Sequence, residues 1–506
     1  MRRLLSSTLL VTGFSFLGVV LQFALQVVLA SKFGAGQEMD AYLAATAIPT
    51  WISSVYVGAL GFAYLPVFVE RLTSGRVREA WGMTSRLFDL TVLALGLVSL
   101  SGISLAGQIM HLTAPGFAPG MLLLSASLAR ILWAAIPFTG AATLFAALYQ
   151  SQNRFGWPAA ALVLNYATTL AVTLWLGPVV GIRAVAIGTL AGSIAQFLIL
   201  SPSLFGASRY LPGFRYGLQE VHAVARLMLP LLIGGIFYRV INVAERYFAS
   251  SLPIGSISYL GYASRLALIM SLVLSSGIST TVFPSLAKKA ASGEYHLLRG
   301  DLSRAMRLAM AVTIPAMAMT LGLRVPLVQL LLQRGEFSAW DTHAVASLLP
   351  WYVLSLTCMV LGSLVGIAFY AIKDTVTVAV WGIAAAIGYL AYGSWFAQRM
   401  GYQGLAIASA VYYWSSFIPE TYVLWNRLGR GGKAIAAAHA KLLIAGSVCL
   451  VAVSAIQAIV STSAPLSVLF GVLAGGIAYA APLWLLMPKE ILSLARLLLP
   501  RHAARR

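Results

Sequence analysis

The sequence predicts an all-α integral membrane protein of about fourteen transmembrane helices: two six-helix lobes related by a pseudo-two-fold axis along the membrane normal, then two C-terminal helices. Three observations carry this. Apolar stretches of bilayer length run from one terminus to the other, basic residues collect in alternate connections, and the chain resembles itself at an offset of about 220 residues.

Of the 506 residues, 60% are hydrophobic and 9% charged, whereas an ordinary soluble domain is roughly 25% charged. Mean hydropathy is +0.87 and is not confined to one segment. A water-soluble protein is excluded, as is a soluble enzyme hung on a single anchor helix.

A bilayer core takes about 20 apolar residues per helix. Cut at its charged and Gly/Pro-rich breaks, the chain yields stretches near 7 to 31, 41 to 68, 82 to 108, 121 to 148, 157 to 177, 181 to 205, 221 to 250, 256 to 285, 302 to 323, 342 to 370, 374 to 396, 402 to 425, 435 to 459 and 464 to 487. The first follows Arg2 and Arg3 as a signal peptide would, but it outruns a cleavable h-region of about 7 to 15 residues and reads as a retained helix.

With the N-terminus inside, the connections expected to face the cytoplasm hold 25 of the 34 basic residues. The outer ones hold six: Lys32, Arg183, Arg246, Arg324, Arg334 and Arg399. The remaining three, Arg130, Arg239 and Arg265, lie within spans. A missed or invented helix would invert this bias beyond it, and no inversion occurs. Both termini are therefore expected in the cytoplasm, and the net charge of +20 reflects topology. Nucleic acid is not expected as a partner, because the basic residues are scattered over short loops without an aromatic platform.

The repeat has several anchors. Ala30-Ser31 with Gly36 is echoed by Ala249-Ser250 with Gly255, Phe62–Phe68 by Thr280–Leu286, Ser74-Gly75 by Ser292-Gly293, and Gly181–Ile187 by Gly401–Ile407. Six spans separate equivalent positions, so the halves share orientation: residues 1–215 form an N-lobe of spans one to six, 216–430 a C-lobe of spans seven to twelve, and 431–506 the last two spans with a basic cytoplasmic tail. Two bundles with a cleft between them are a transporter layout; a duplicated scaffold without transport is the alternative.

Charges at bilayer depth cost about 2.5 to 3.5 kcal/mol each on insertion scales, so each needs a partner or a wet cavity. Arg239, Asn242 and Glu245 in the seventh span are spaced by three and can form a polar spiral. Glu245, Arg246 and Glu420 stand near span ends, where a buried pair or a snorkelling side chain explains them equally. Arg239 and Arg265 are flanked by apolar residues, and with Arg130 they are the candidate cleft cations, suited to bidentate capture of a phosphate. Gln22 and Gln26, four apart, share one face of the first span as cavity lining or as helix-to-helix glue. Gly34, Gly36, Pro49, Pro253 and Pro284 are candidate hinges near span ends, or ordinary transmembrane Gly and Pro.

No catalytic constellation, metal site or cofactor motif is present. The six histidines lack metal spacing, both cysteines (Cys358 and Cys449) sit in apolar runs, and no phosphate-binding loop occurs. No outer loop supplies the carboxylate pair of a membrane glycosyltransferase. The chain is not expected to be an enzyme.

Lys32-Phe33-Gly34-Ala35-Gly36 with Asp40-Ala41 and Ile48-Pro49, then Asn153-Arg154-Phe155, Phe248–Ser258, Tyr262-Ala263-Ser264-Arg265-Leu266, Phe283–Leu286 and Arg334-Gly335-Glu336-Phe337 fall in an order that resembles the MurJ/MviN family. The resemblance covers roughly residues 30 to 430. It implies a fourteen-helix flippase of the bacterial plasma membrane that moves polyprenyl-diphosphate-linked glycan precursors, usually lipid II of peptidoglycan, from the inner to the outer leaflet by alternating access. It further implies partnership with membrane lipids and cell-envelope synthesis enzymes. On it, Arg265 matches the family's cavity arginine and Asp40 the acidic residue of its DA motif, a cavity and gating position. The sequence departs from the family where arginines line the first span: no basic residue lies between Arg3 and Lys32, and Ser53-Ser54 stands where a basic pair belongs. Head-group binding is left to Arg130, Arg239 and Arg265, and an exopolysaccharide or O-antigen unit stays open as cargo. A drug or metabolite exporter of the same superfamily is the other transport alternative.

Overall fold

The computed structural model describes residues 2–205, 210–211, 218–268, 286, 289–290, 292–372, 374–429, 432–460 and 463–486; inside helices, the side chains of 2–9, 218–220, 237–239, 375 and 432–436 are not among those described. Helices account for every regular element among the described residues. In hydrocarbon an N–H or C=O without a partner costs several kcal/mol, and a helix satisfies both within one segment.

In chain order the elements are α1 (Arg2–Phe33), α2 (Gln37–Thr73), α3 (Val77–Ser104), α4 (Ala106–Thr113), α5 (Pro119–Ala134), α6 (Ile136–Ser151), α7 (Gly156–Val180), α8 (Arg183–Leu200), α9 (Pro202–Phe205) and α10 (Leu218–Ala249). They continue with α11 (256–268), α12 (Tyr295–Leu332), α13 (Ala339–Ala371), α14 (Thr375–Leu428), α15 (Gly432–Ile459) and α16 (Ala464–Leu486). Twelve helical segments among the described residues are long and apolar enough to cross a membrane. Many large apolar side chains stand exposed on them, including Phe62, Leu123, Trp175 and Leu485, which makes sense only with lipid as the solvent.

Two expected stretches are joined in α14, whose 54 residues break at Gly401 (φ 59°, ψ −141°). The fourth stretch is divided instead, into α5 and α6, because Pro137 opens α6 and has no N–H to continue the ladder from α5. The eighth, expected over 256 to 285, is helical over 256–268 and otherwise lies outside the described residues.

The repeat seen in the sequence recurs in the backbone. Gly181 (φ 60°, ψ −140°) and Gly401 (φ 59°, ψ −141°) adopt one conformation, which a side chain would strain. Gly75 (φ 77°) and Gly293 (φ 73°) form a second such pair. The turns match as well: Arg76 N–H donates to the Arg71 carbonyl as Glu294 does to Lys289, and Arg154 N–H donates to Tyr149 as Asp374 does to Phe369, at 2.9 to 3.0 Å. These bonds span five residues, the pattern that closes a helix end on its own orphan carbonyls.

The chain divides into two compact units, Met1–Ser258 and Tyr259–Arg506. In the first, α2 packs against α5, α6 and α10, while α1, α7 and α8 form a second group. Tyr64, Phe68, Met83, Leu144, Phe145 and Leu148 centre its core, where Tyr64 Oη and Thr84 Oγ1 share a hydrogen bond of 2.8 Å. Residues 210–211 dock on α3: Tyr210 donates its hydroxyl to Asp89 at 2.7 Å and Leu211 N–H donates to Ser85 Oγ at 3.0 Å. The bond to the Asp89 carboxylate, helped by burial, holds the Tyr210 phenol above its ordinary pKa.

α7 and α8 meet through small residues. Gly188 and Gly192 lie so close to α7 that an added Cβ would come within 2.8 Å of the Thr169 carbonyl and 2.6 Å of the Asn165 carbonyl, respectively. This approach lets Thr169 Oγ1 donate to the Gly188 carbonyl at 3.1 Å and Asn165 Nδ2 donate to Gln196 Oε1 at 2.9 Å. Lipid tails are as apolar as leucine, so packing and hydrogen bonds of this kind hold such helices together.

In the second unit α12 packs on α13, α15 and α16, and α13 packs on α14. Leu302, Met306, Leu364, Phe369, Leu424 and Leu442 fill its core, and Tyr479 donates its hydroxyl to the Ala311 carbonyl at 3.0 Å. Ser338 and Asp341 form a reciprocal capping box at the start of α13. Asp374 caps α14 by accepting from Thr377 N–H at 3.1 Å and Thr377 Oγ1 at 2.6 Å, and it pairs with Arg427. The Thr377 hydroxyl first, and Arg427 after it, hold the Asp374 carboxyl below the usual aspartate range.

The α7–α8 seam can be tested with one methyl group. Gly192→Ala is expected to cost about 1 to 3 kcal/mol by overpacking and to lower the melting temperature of the purified protein. Gly61→Ala, at an exposed site with nothing within 4 Å of its added Cβ, should leave it unchanged.

Candidate functional site

Within unit Met1–Ser258, antiparallel spans bring the connections at 34–36, 114–118, 181–182 and 250–255 to one face. The polar centre of this face is Asp40. Gly34, at φ 55°, turns the chain out of α1, and α2 starts at Gln37, which places Asp40 in its first turn. The side chain is almost fully buried, at 2% exposure, and three donors from the segment that opens α11 converge on it. Asp40 Oδ2 accepts from Gly255 N–H at 2.7 Å. Oδ1 accepts from Ser258 N–H at 2.7 Å and from Ser258 Oγ at 2.6 Å.

Asp40 thus acts as an N-terminal cap for a helix 218 residues away in sequence. Its charge meets three donors and the positive end of α11, which together offset the cost of burying a carboxylate. The separation is within one residue of the local repeat offset of 219, so Asp40 bonds next to its own counterpart, Tyr259.

Neighbouring contacts extend this latch. Arg246 Nε donates to the Leu43 carbonyl at 3.0 Å, and its Nη1 donates to the Asn242 carbonyl at 2.9 Å, tying the end of α10 to α2. Gly116 N–H donates to Ser250 Oγ at 3.3 Å. A Cβ on Gly116 would lie 2.5 Å from the Ser250 carbonyl, so the 114–118 connection requires glycine to come this close. About three turns beyond Asp40 along α2, Trp51 Nε1 donates to the Ile236 carbonyl at 3.4 Å.

The other expected site residues fall as follows. Gln26 is buried and Gln22 half-buried on α1; Asn242 is exposed and Glu245 buried on α10. Arg130 is exposed on α5, whereas Arg265 is half-buried on α11 beside the buried Ala263 and Leu266. Arg130 and Arg265 belong to different compact units. Arg239 lies on α10, but its side chain is outside the described residues, as is Pro284 altogether. Pro49 is buried within α2 and Pro253 is exposed in the 250–255 turn. No group of three or more His, Cys, Asp or Glu able to hold a metal ion occurs among the described residues.

Sequence reasoning picked out Asp40 and, separately, the Phe248–Ser258 stretch, but not their pairing. The nearest signal was the spacing: Gly36 pairs with Gly255 in the repeat, an offset of 219, which carries Asp40 to Tyr259, one residue beyond its partner Ser258.

Bilayer-length helices, backbone turns that recur at an offset of about 220 residues and a buried carboxylate latch at one face define a multi-pass helical membrane protein of the transporter class. The family model described as lipid II flippase MurJ matches residues 29–475, and the chain belongs to that family. It is 26% identical over 423 residues to a probable lipid II flippase MurJ of Vibrio cholerae, covering 81% of each chain. It is 26% identical over 424 residues to the lipid II flippase MurJ of Burkholderia cenocepacia, again covering 81% of each. Among solved structures it resembles a lipid II flippase MurJ in an inward closed conformation, with TM-score 0.80 and 22% identity over 96% of this chain and 100% of that one. An inward-facing multidrug transporter of the MATE family shares the fold with TM-score 0.71 and 14% identity, over 85% of this chain and 98% of the other.

The latch makes a direct prediction. Asp40→Asn keeps the shape but replaces one accepting oxygen with an NH2 that can only donate, so at least one of these bonds, each worth about 1.5 to 3 kcal/mol, is lost and the rest go to a neutral acceptor. In a background carrying Ser256→Cys, a position 1% exposed, a water-soluble thiol reagent is expected to label the Asp40→Asn protein several-fold faster than its parent. Equal labelling rates would show that Asp40 does not hold this face together.

Proposed function

We propose that this chain moves a polyprenyl-diphosphate-linked glycan precursor, lipid II of peptidoglycan first among them, from the inner to the outer leaflet of the bacterial plasma membrane by alternating access. The supporting observation is the family match over residues 29–475, which runs through both halves of the duplicated plan, 1–215 and 216–430. The excess of basic residues in the inner connections supports cytoplasmic termini.

In this reading Arg265, with Arg130 and Arg239, neutralises the diphosphate, because a guanidinium at membrane depth meets phosphate with two parallel charge-assisted bonds. Asp40 is the gate at the outer face, released when α11 moves. Gln22, Gln26, Asn242 and Glu245 line the polar route, and Gly34, Gly36, Pro49, Pro253 and Pro284 give the spans room to bend. The protein contributes binding and conformational change and makes no covalent bond. An inside-negative membrane favours outward passage of the anionic cargo by about 2.3 kcal/mol per charge per 100 mV. Membrane lipids are its surroundings, and envelope synthesis enzymes are candidate partners.

The absence of any basic residue between Arg3 and Lys32 favours one second reading, a different polyprenyl-linked glycan that needs less positive charge from the first span. Both readings are separated by a leaflet-resolved assay in proteoliposomes with labelled lipid II and a labelled exopolysaccharide precursor. Lipid II is expected to be moved, and Arg265→Ala to slow it at least about tenfold. Transport of lipid II by Arg265→Ala at the parental rate would remove Arg265 from the head-group site, and transport of only the second lipid would change the cargo.

A further inference from the structure

Unit Tyr259–Arg506 holds a pocket of about 360 Å³ lined by Arg324, Val325, His343, Ala346, Ser347 and Gln403. It sits where α12 nears its end, α13 begins and α14 breaks at Gly401, at the face opposite the Asp374–Arg427 pair. Its size is at the lower end of the range for small-ligand sites. Neither Asp40 nor Arg130 nor Arg265 contributes to it.

The lining is cationic and rich in donors. Arg324 and His343 are both exposed, and no carboxylate lines the pocket. The nearest acid in sequence, Asp341, is already engaged: its Oδ2 accepts from Ser338 N–H and Oγ at 2.8 Å each, and its Oδ1 accepts from the Tyr259 hydroxyl at 3.0 Å. Ser347 Oγ donates to the Ala344 carbonyl at 2.7 Å and accepts from Gln403 Nε2 at 3.2 Å. The serine therefore positions the amide, whose second N–H is left for a ligand. α13 and the second half of α14 begin at this face while α12 and the first half of α14 end at it, so the helix dipoles largely offset one another and the positive potential is that of Arg324.

The depth of the pocket points to the ligand. Trp340, at the start of α13, and Trp395, near the end of the first half of α14, are exposed, and the Arg399 guanidinium lies 5.7 Å from the Trp395 ring centroid. Exposed tryptophans and basic residues at span ends mark the head-group layer. We propose that the pocket is a binding site for a phosphate group, with Arg324 as its principal ligand and His343 and Gln403 completing the cradle. The phosphate is that of an anionic lipid head group or of a small soluble phosphate, and both present the same oxygens to the guanidinium. This inference stands apart from the cargo reading: binding at the pocket and movement of cargo are measured separately.

The test uses the full chain in phosphatidylcholine nanodiscs, comparing the parent with Arg324→Gln, His343→Gln and Arg324→Lys. In one arm inorganic phosphate is titrated by calorimetry. In the other, phosphatidylglycerol is added to the nanodiscs and retained lipid is counted by native mass spectrometry. The parent is expected to bind in at least one arm about tenfold more tightly than Arg324→Gln, with His343→Gln weaker than the parent and Arg324→Lys intermediate. Sensitivity to Arg324 in the phosphate arm alone identifies a soluble ligand, and in the lipid arm a head group. If Arg324→Gln does not fold, the loss in His343→Gln decides in its place. Binding in neither arm, or binding unaffected by the substitutions, overturns the proposal.

Discussion

Hydrocarbon neither donates nor accepts hydrogen bonds, and the rest of this structure follows from that constraint. Each span must be helical, and helix ends must close on themselves, as the five-residue N–H to carbonyl bonds do at Arg76, Arg154, Glu294 and Asp374. The same pressure governs side chains. Hydroxyls inside spans fold back onto their own helix, as Thr173 does onto the Thr169 carbonyl at 2.7 Å and Ser355 onto the Trp351 carbonyl at 2.8 Å. Those that reach farther, such as Thr169 to Gly188 and Tyr479 to Ala311, become the bonds that hold neighbouring helices together.

Asp40 is the costly exception that this constraint makes informative. A carboxylate at 2% exposure persists because three donors and a helix N-terminus converge on it, and all of them come from the start of α11. Such a group works as a latch. While its partners are in place the charge is satisfied, and moving α11 away requires other donors, which water entering from that face can provide.

The cations divide by position. Several at the connections between spans pair with carboxylates nearby, as Arg427 does with Asp374 and Lys289 with Asp301. Arg324 is different: it lies at the opposite face of its unit, in a pocket without a carboxylate. Arg265 differs again, half-buried in α11 among buried apolar neighbours. A guanidinium in either setting is suited to phosphate because its planar fork matches two oxygens at once.

The positions of most spans, the duplicated plan and the turns at Gly75, Gly181, Gly293 and Gly401 were legible in the chain itself, whereas the break before Pro137 was not, since 121 to 148 reads as one apolar stretch. Hydropathy and glycine's access to positive φ act locally and leave their mark at the residue concerned. Asp40 and Arg265 stood out for a similar reason, since a charge among apolar neighbours is visible without a fold. The partners of Asp40 were not legible in this way, nor were the closeness of Gly188 and Gly192 to α7 and the meeting of Arg324, His343 and Gln403 from three helices. Apolar helices of nearly uniform composition do not encode which neighbour they face. That choice is made by close packing of small residues and by hydrogen bonds between segments far apart in the chain, which exist only once the helices have come together.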